Sequence, residues 1–565
     1  MRRPTLSACS FIFVAMVTLF TTSPSVYWLD SGQLSTAAFH LGVAHAPGEP
    51  LWVMLGHLLD ALPLGDVAFR ANLLSCLAAA AVAPGLILAA TTWGRWRWGR
   101  RGSVALLLTL LTPSLTYPLW MQAVRSEVYS LQLALVVACI AYLGIASRNR
   151  PRPWMVAAIL GGLAASVHPL LAAAGILPAI LIAAFTRGIP RGPALLATAC
   201  CAGVGLTPFV LPALRSHAWY VWGDPGTWQG YVDLITAKDF GDNFSGVDID
   251  NLKRTLGILS GSILQGPSTT VLGLSIVGLG LLLKTHTRLA LLLVLSGGAT
   301  FCTELMQTKV WAEHADIHGY LSLVHVGLWV AAGASLVALG AFNLPSSGRP
   351  LPSFIPVMAV LVFGAGATLA EAPHTNRAHN HLARIHARAG LDAVPPGGTL
   401  ITSGNSTMFT VMYLQWVEGF RPDVRAAHRI LLTHPWYRRT WSRPPRTMED
   451  TELRACLLPP STLATLGPDV VVDAREKDIE QANRLCPTGD PAFGYYRVVD
   501  VGGCTLPEAR PTTPGLTRWR DDFLPDLDAR QAWLYANSLL GDYYRRSGHP
   551  DWAIDPFATA PQRDD

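Results

Sequence analysis

A chain of 565 residues that is 50% apolar and only 14% charged, with a mean hydropathy of +0.32, is composed unlike an ordinary soluble enzyme and like a protein largely embedded in lipid. Its net charge of +5 arises from basic residues in short loops between apolar runs, not from one basic face, so nucleic acid is excluded as the expected partner.

The opening "MRRPTLSACSFIFVAMVTLFTTSPS" has the pattern of a signal peptide, and it also reads as a first membrane helix continuous with the segment after it. We read it as the helix. About eleven apolar runs approach the roughly 20 residues that a membrane helix needs. They begin near residues 9, 70, 103, 127, 154, 169, 193, 268, 289, 318 and 353. The basic loops "WGRWRWGRRG", "SRNRPRPW", "TRGIPRG" and "KTHTR" fall on alternate connections together with Arg2 and Arg3, so that side is expected to be cytoplasmic. Asp30, Arg125, His168 and the loops around 215–266 and 304–317 then face outward.

Within that order three stretches carry chemistry. Residues 27–52, "YWLDSGQLSTAAFHLGVAHAPGEPLW", follow the first span with an acid, Asp30, and then predict two helices lying along the membrane interface, separated by "APG". Asp30 is either a helix N-cap, a favoured role for Asp, or a reacting group. Residues 154–185 are too short for two crossings of a core about 30 Å thick and predict a hairpin. Its apex carries His168, either as a plain turn residue before Pro169 or as a group in a recess at membrane depth. The third stretch, "KVWAEHADIHGYL", gathers Lys309, Asp316 and His318 at an outer helix end, without the tight spacing of a tetrahedral metal site. No metal is expected.

After residue 371 the chain turns polar. "GGTLITSGN", "DVRAAHRI" and "DVVVDA" predict strands and "STMFTVMYLQWVEG" a helix, together a small α/β domain. The histidines of "HTNRAHNHLARIHARAG" read as a solvated helix face. Cys456, Cys486 and Cys504 leave room for one disulfide if this part lies outside the cytoplasm. The last forty residues, 526–565, look like one tetratricopeptide-type helix pair.

The ordered segments "YWLDSGQLSTAAFHLGVAHAPGEPLWVMLGHL", "FRANLLSCL", "AVRSEVYSLQL", "WGDPGTWQGYVDLITAKDF", "DIHGYL" and "YLQWVEGFRPDVR" resemble the transmembrane O-mannosyltransferase family. The resemblance implies a mostly α, polytopic GT-C fold. Residues 1–370 form its membrane part, with a first outer loop at about 27–70, followed by an extracytoplasmic domain at 371–525 and a helical end at 526–565. It also implies a glycosyltransferase in the bacterial cytoplasmic membrane, moving a hexose such as mannose from a polyprenyl-phosphate donor to Ser/Thr of exported proteins. A lipid or cell-wall glycan acceptor is the alternative, and a multispanning transporter a more distant one. The family's first-loop acid falls on Asp30. Its usual Asp-Ser-Gly-Glu here ends in Gln33, and its usual Pro-Pro-Gly-Tyr-Pro is Ala46 to Pro50.

The chemistry of such a transfer asks for a base, for which Asp30 is the candidate. It also asks for cations around the leaving phosphate, for which Arg125, His45, His168 and Lys309 are candidates. Arg125 has a competing role as an ion-pair partner of Glu127. Gln33, Asp316, His318 and Arg70 complete the candidate set, Arg70 with helix anchoring as its other reading. No cofactor is expected.

Overall fold

The computed structural model describes residues 3–94, 111–244, 249–265, 269–306, 316–339, 354–402, 404–428, 431–437, 469–473, 485–487 and 495–498. Lys309, Cys456, Cys504, the apolar run beginning near residue 103 and the segment 526–565 lie outside the described residues. The helices that matter to the site are α1 (Arg3–Thr21), α2 (Ser31–His40), α3 (Pro50–Asp60), α4 (Val67–Gly94), α5 (Tyr129–Leu143), α6 (Pro151–Ala165) and α7 (Pro169–Arg187). They are followed by α8 (Thr269–Thr285), α9 (Thr287–Leu305), α10 (Ser322–Leu339), α11 (Leu382–Asp392) and α12 (Asn405–Trp416).

Among the described residues α4, α7 and α9 are long and apolar enough to cross a membrane, and the bent pair Pro193–Gly205 with Thr207–Leu214 adds a fourth if it counts as one span. Shorter apolar helices accompany them, at Thr5–Thr21, Tyr129–Leu143, Val271–Thr285 and Ser322–Leu336. The helices pack along their alanine-rich faces. In α4, Ala78, Ala79, Ala80 and Ala83 are all buried, since small side chains let apolar helices approach closely where lipid gives no hydrophobic drive between them.

The expected hairpin is present: α6 and α7 are joined at Ser166 to His168, and Pro169 occupies the first turn of α7, where its missing N–H costs nothing. The two basic loops at the other end of this hairpin meet, with the Arg148 amide donating to the Arg187 carbonyl at 3.2 Å. The acids around Asp30 lie at the opposite end.

Beyond the bundle stands a five-stranded sheet of order β2-β1-β3-β5-β4, built from β1 (Thr399–Thr402), β2 (Arg425–His428), β3 (Val470–Asp473), β4 (Leu485–Pro487) and β5 (Tyr495–Val498). β1 runs parallel to both β2 and β3, and β5 pairs antiparallel with β3 and β4. All four residues of β1 are buried, as expected of a parallel strand covered on both faces. Cys486 in β4 is disulfide-bonded.

Two sequence expectations are corrected here. The pair α2 and α3 does not lie together along an interface. Residues Ser31 to Ala38 of α2 are buried, because α12 lies over them. Gly32 makes that approach possible, since a Cβ there would collide with the backbone carbonyl of Phe409. Only α3 shows an exposed apolar face, with Met54 and Leu58 on the outside. The second correction concerns the expected solvated histidine face, at His386 of α11. His386 is 3% exposed, its Nδ1 lies 3.0 Å from the Tyr495 hydroxyl, and its ring meets Trp28 edge-on, so it braces the sheet against the bundle.

Candidate functional site

The site begins where α1 gives way to α2. Leu29 has φ +58°, a conformation that costs a non-glycine residue roughly 1 kcal/mol or more, and such strain persists where surrounding structure enforces it. Asp30 comes next, at the N-cap position of α2, but its side chain makes no capping hydrogen bond. Instead its Oδ2 lies 3.8 Å from Nε2 of His45. That nitrogen is also 3.6 Å from Oε1 of Glu49, a second strained residue at φ +44°. The other face of the imidazole is held by Gln33, whose Oε1 lies 2.6 Å from Nδ1. Gln33 Nε2 donates in turn to the Tyr220 hydroxyl at 2.5 Å.

A second set of groups arrives from the connection before α5. Arg125 is fully buried and pairs with Glu127 at 3.0 Å and with Asp316, at the start of the helical turn Asp316–Tyr320. It also donates to Gln122 Oε1 at 3.0 Å. The backbone here is fixed by α4 and α3. Ser75 exchanges hydrogen bonds with both the amide and the carbonyl of Glu127, Trp52 Nε1 donates to the same carbonyl at 3.2 Å, and Ser126 donates to Asn72. The motifs "FRANLLSCL" and "AVRSEVY" thus act on one another.

The two sets converge: carboxylate oxygens of Asp30, Glu127 and Asp316 all lie within 4.8 Å of one another, close enough to share one cation. Arg125 already supplies a positive charge to two of the three. Asp30 is the member left partly open to solvent, at 26% side-chain exposure. Burial raises Glu49 to about 7, with Asp30 and Asp316 adding to the effect and His45 opposing it. Burial pulls His45 down, yet Glu49, Asp30 and Asp316 together outweigh it and hold the imidazole above its ordinary value.

His168 caps α7, its Nδ1 accepting from the Leu171 amide at 3.4 Å, and its ring faces Tyr129 and Tyr320 at 6.4 and 5.8 Å. His318 is buried against Tyr117 and His325. Arg70 is engaged by Asp60 at 2.6 Å and by the carbonyls of Leu64 and Gly65, bracing the connection between α3 and α4. Gln33 is fully buried and faces no opening. Glu127 and Tyr220 escaped sequence reasoning as members of the site. For Glu127 the signal was present in its spacing from Arg125, whereas Tyr220 gave none, because the bridge of Val43 to Val221 brings it in.

Comparison with known proteins agrees with this architecture. The solved structure of ArnT from Cupriavidus metallidurans bound to undecaprenyl phosphate superposes with a TM-score of 0.54 at 13% identity, over 88% of this chain and 98% of that one. The chain therefore shares the fold of that protein, and three of its described helices are long and apolar enough to cross a membrane. Residues 30–190 match the model for the protein O-mannosyl-transferase TMEM260 N-terminal domain, and residues 383–450 match TMEM260-associated domain 2. Protein O-mannosyl-transferase TMEM260 of Mus musculus is 27% identical over 456 residues, 76% of this chain and 63% of that protein. The Dictyostelium discoideum protein of the same name is 25% identical over 150 residues, 26% of this chain and 18% of its own. The chain thus spans less than two thirds of the length of either relative. Over these stretches the chain is similar to protein O-mannosyl-transferases.

Proposed function

We propose that the protein transfers a hexose, mannose foremost, from a polyprenyl-phosphate donor to Ser/Thr hydroxyls of exported proteins, with Asp30 as general base. The observation that carries this reading is the placement of Asp30: an acid on a strained turn, relieved of capping duty, partly open beside a buried set of charges at one end of the bundle. In the step proposed, the acceptor oxygen attacks the anomeric carbon, its proton passes to the Asp30 carboxylate, and the bond from that carbon to the phosphate oxygen breaks. The lipid leaves as a phosphate monoester. Arg125, with His168 and Lys309, is assigned to the phosphate charge, and the undecaprenyl phosphate bound by the ArnT structure supports a donor of this type. Because Arg125 supplies positive charge to the carboxylates, the reaction is proposed to need no metal and no cofactor.

The test is transfer by the purified full-length protein from polyprenyl-phosphate mannose to an acceptor peptide, read by mass spectrometry. A hexose on Ser or Thr supports the reading; label appearing only in lipid or glycan moves the acceptor to those classes, and no transfer to any acceptor rejects it. Chelation should leave the rate unchanged, whereas loss restored by a divalent ion would hand the three carboxylates to a metal.

The proposed setting is the bacterial cytoplasmic membrane, crossed by about eleven helices, with the N-terminus inside and the sheet domain outside. The meeting of the Arg148 and Arg187 loops at the end away from Asp30, and the disulfide at Cys486, support that orientation. Reporter fusions at about residues 98 and 400 are expected on opposite sides; both on one side would refute the topology.

A further inference from the structure

Gln33 stands where the resembling motif has an acid, and its surroundings say what the amide is for. It is fully buried, and its two ends have different partners: Nε2 donates to the Tyr220 hydroxyl at 2.5 Å and Oε1 lies 2.6 Å from His45 Nδ1. Since a carbonyl oxygen only accepts, Nδ1 must carry a hydrogen. Nε2 then faces Oδ2 of Asp30 at 3.8 Å and Oε1 of Glu49 at 3.6 Å, where a lone pair would be repelled and an N–H is favoured. Tyr220 is itself fixed, because Val43 N donates to its carbonyl at 3.0 Å and the Val43 carbonyl accepts from Trp222 N at 3.1 Å. An acid at position 33 would instead bring a further carboxylate to a pocket that already holds Asp30, Glu49, Glu127 and Asp316.

We infer that Gln33 is a positioning residue: its carbonyl, turned toward His45 by the Tyr220 hydroxyl, keeps a hydrogen on Nδ1 and so aims the Nε2–H of a doubly protonated His45 at Asp30 and Glu49. The role rests on the reading of Asp30 as the base. It takes His45 out of the set that meets the donor phosphate and gives it the task of holding Asp30 ionised and oriented. The groups around the imidazole are Asp30, Glu49 and Asp316 as acids, His168 as the other titratable neighbour, and the rings of Trp222 and Phe240, at 6.2 and 6.1 Å.

The experiment uses the full-length protein in detergent, labelled with ¹⁵N-histidine, the His45 signals being identified by their loss in His45→Gln. In the wild type both ring nitrogens of His45 should be protonated at neutral pH. Gln33→Leu, which removes the acceptor, should shift His45 to the neutral ring, while Gln33→Glu, which keeps an acceptor, should retain the doubly protonated form. These spectra need no substrate, so they test the relay even if no transfer is found. In the transfer assay Gln33→Leu should lower kcat about 10- to 100-fold, the worth of a hydrogen bond to a charged group, with donor KM unchanged and with Gln33→Glu restoring much of the rate. Should the Leu variant fail to fold, Tyr220→Phe removes only the brace and should move both readouts the same way by less. His45 signals identical in the wild type and these variants would overturn the proposal. So would a Leu variant with normal kcat and raised donor KM, which would make Gln33 a substrate-binding residue.

Discussion

Asp30→Asn is expected to leave the protein folded and inserted while sugar transfer falls by about 10²- to 10⁴-fold, the range associated with losing a general base. The substitution separates two roles cleanly. Asn caps a helix about as well as Asp, and the Asp30 side chain makes no capping bond to lose. What disappears is the charge facing His45 Nε2 and the capacity to take a proton. Transfer by purified variant and wild type at equal donor occupancy gives the comparison, with the melting temperature of each in detergent as control. Near-normal transfer by the Asn variant would remove Asp30 from the chemistry.

Arg125→Ala is expected to cost about 3–5 kcal/mol of stability, because it strands Glu127 and Asp316 as buried acids without their cation. Replacing both ends of one pair, as in Arg125→Met with Glu127→Gln, should recover a good part of that loss, since the stranded charge goes with it. Arg125→Lys should fall between, keeping the charge but not the fork that spans two carboxylates. Thermal unfolding in detergent ranks the three. An Ala variant as stable as the wild type would mean that the cluster is neutralised by protons and not by Arg125. Where the variants stay folded, affinity for a polyprenyl-phosphate sugar should fall in the order Arg, Lys, Ala if the guanidinium also meets the phosphate.

Local patterns in the sequence were enough to find the apolar helices, the acid at position 30 where the first helix gives way to the second, the hairpin with His168 at its apex and three of the five strands of the sheet. Each rests on neighbours within a turn or a strand: apolar length, basic flanks, a proline at a helix start, β-branched runs such as "VVVD". The tertiary structure alone decided which of the scattered polar residues share a site. Glu127 and Asp316 meet Asp30 because α4 pins the Arg125–Glu127 connection through Ser75 and Asn72, and nothing in the spacing of these residues along the chain encodes that. It also decided that α2 is buried. Its pattern reads as amphipathic and interfacial, but Gly32 admits α12 across it, and that contact joins residues some 377 apart in sequence, as in the bond from the Leu29 amide to Ser406. Periodicity reports which face of a helix is apolar and is silent on what will cover it, so the partners of Asp30, Gln33 and His45 had to come from packing.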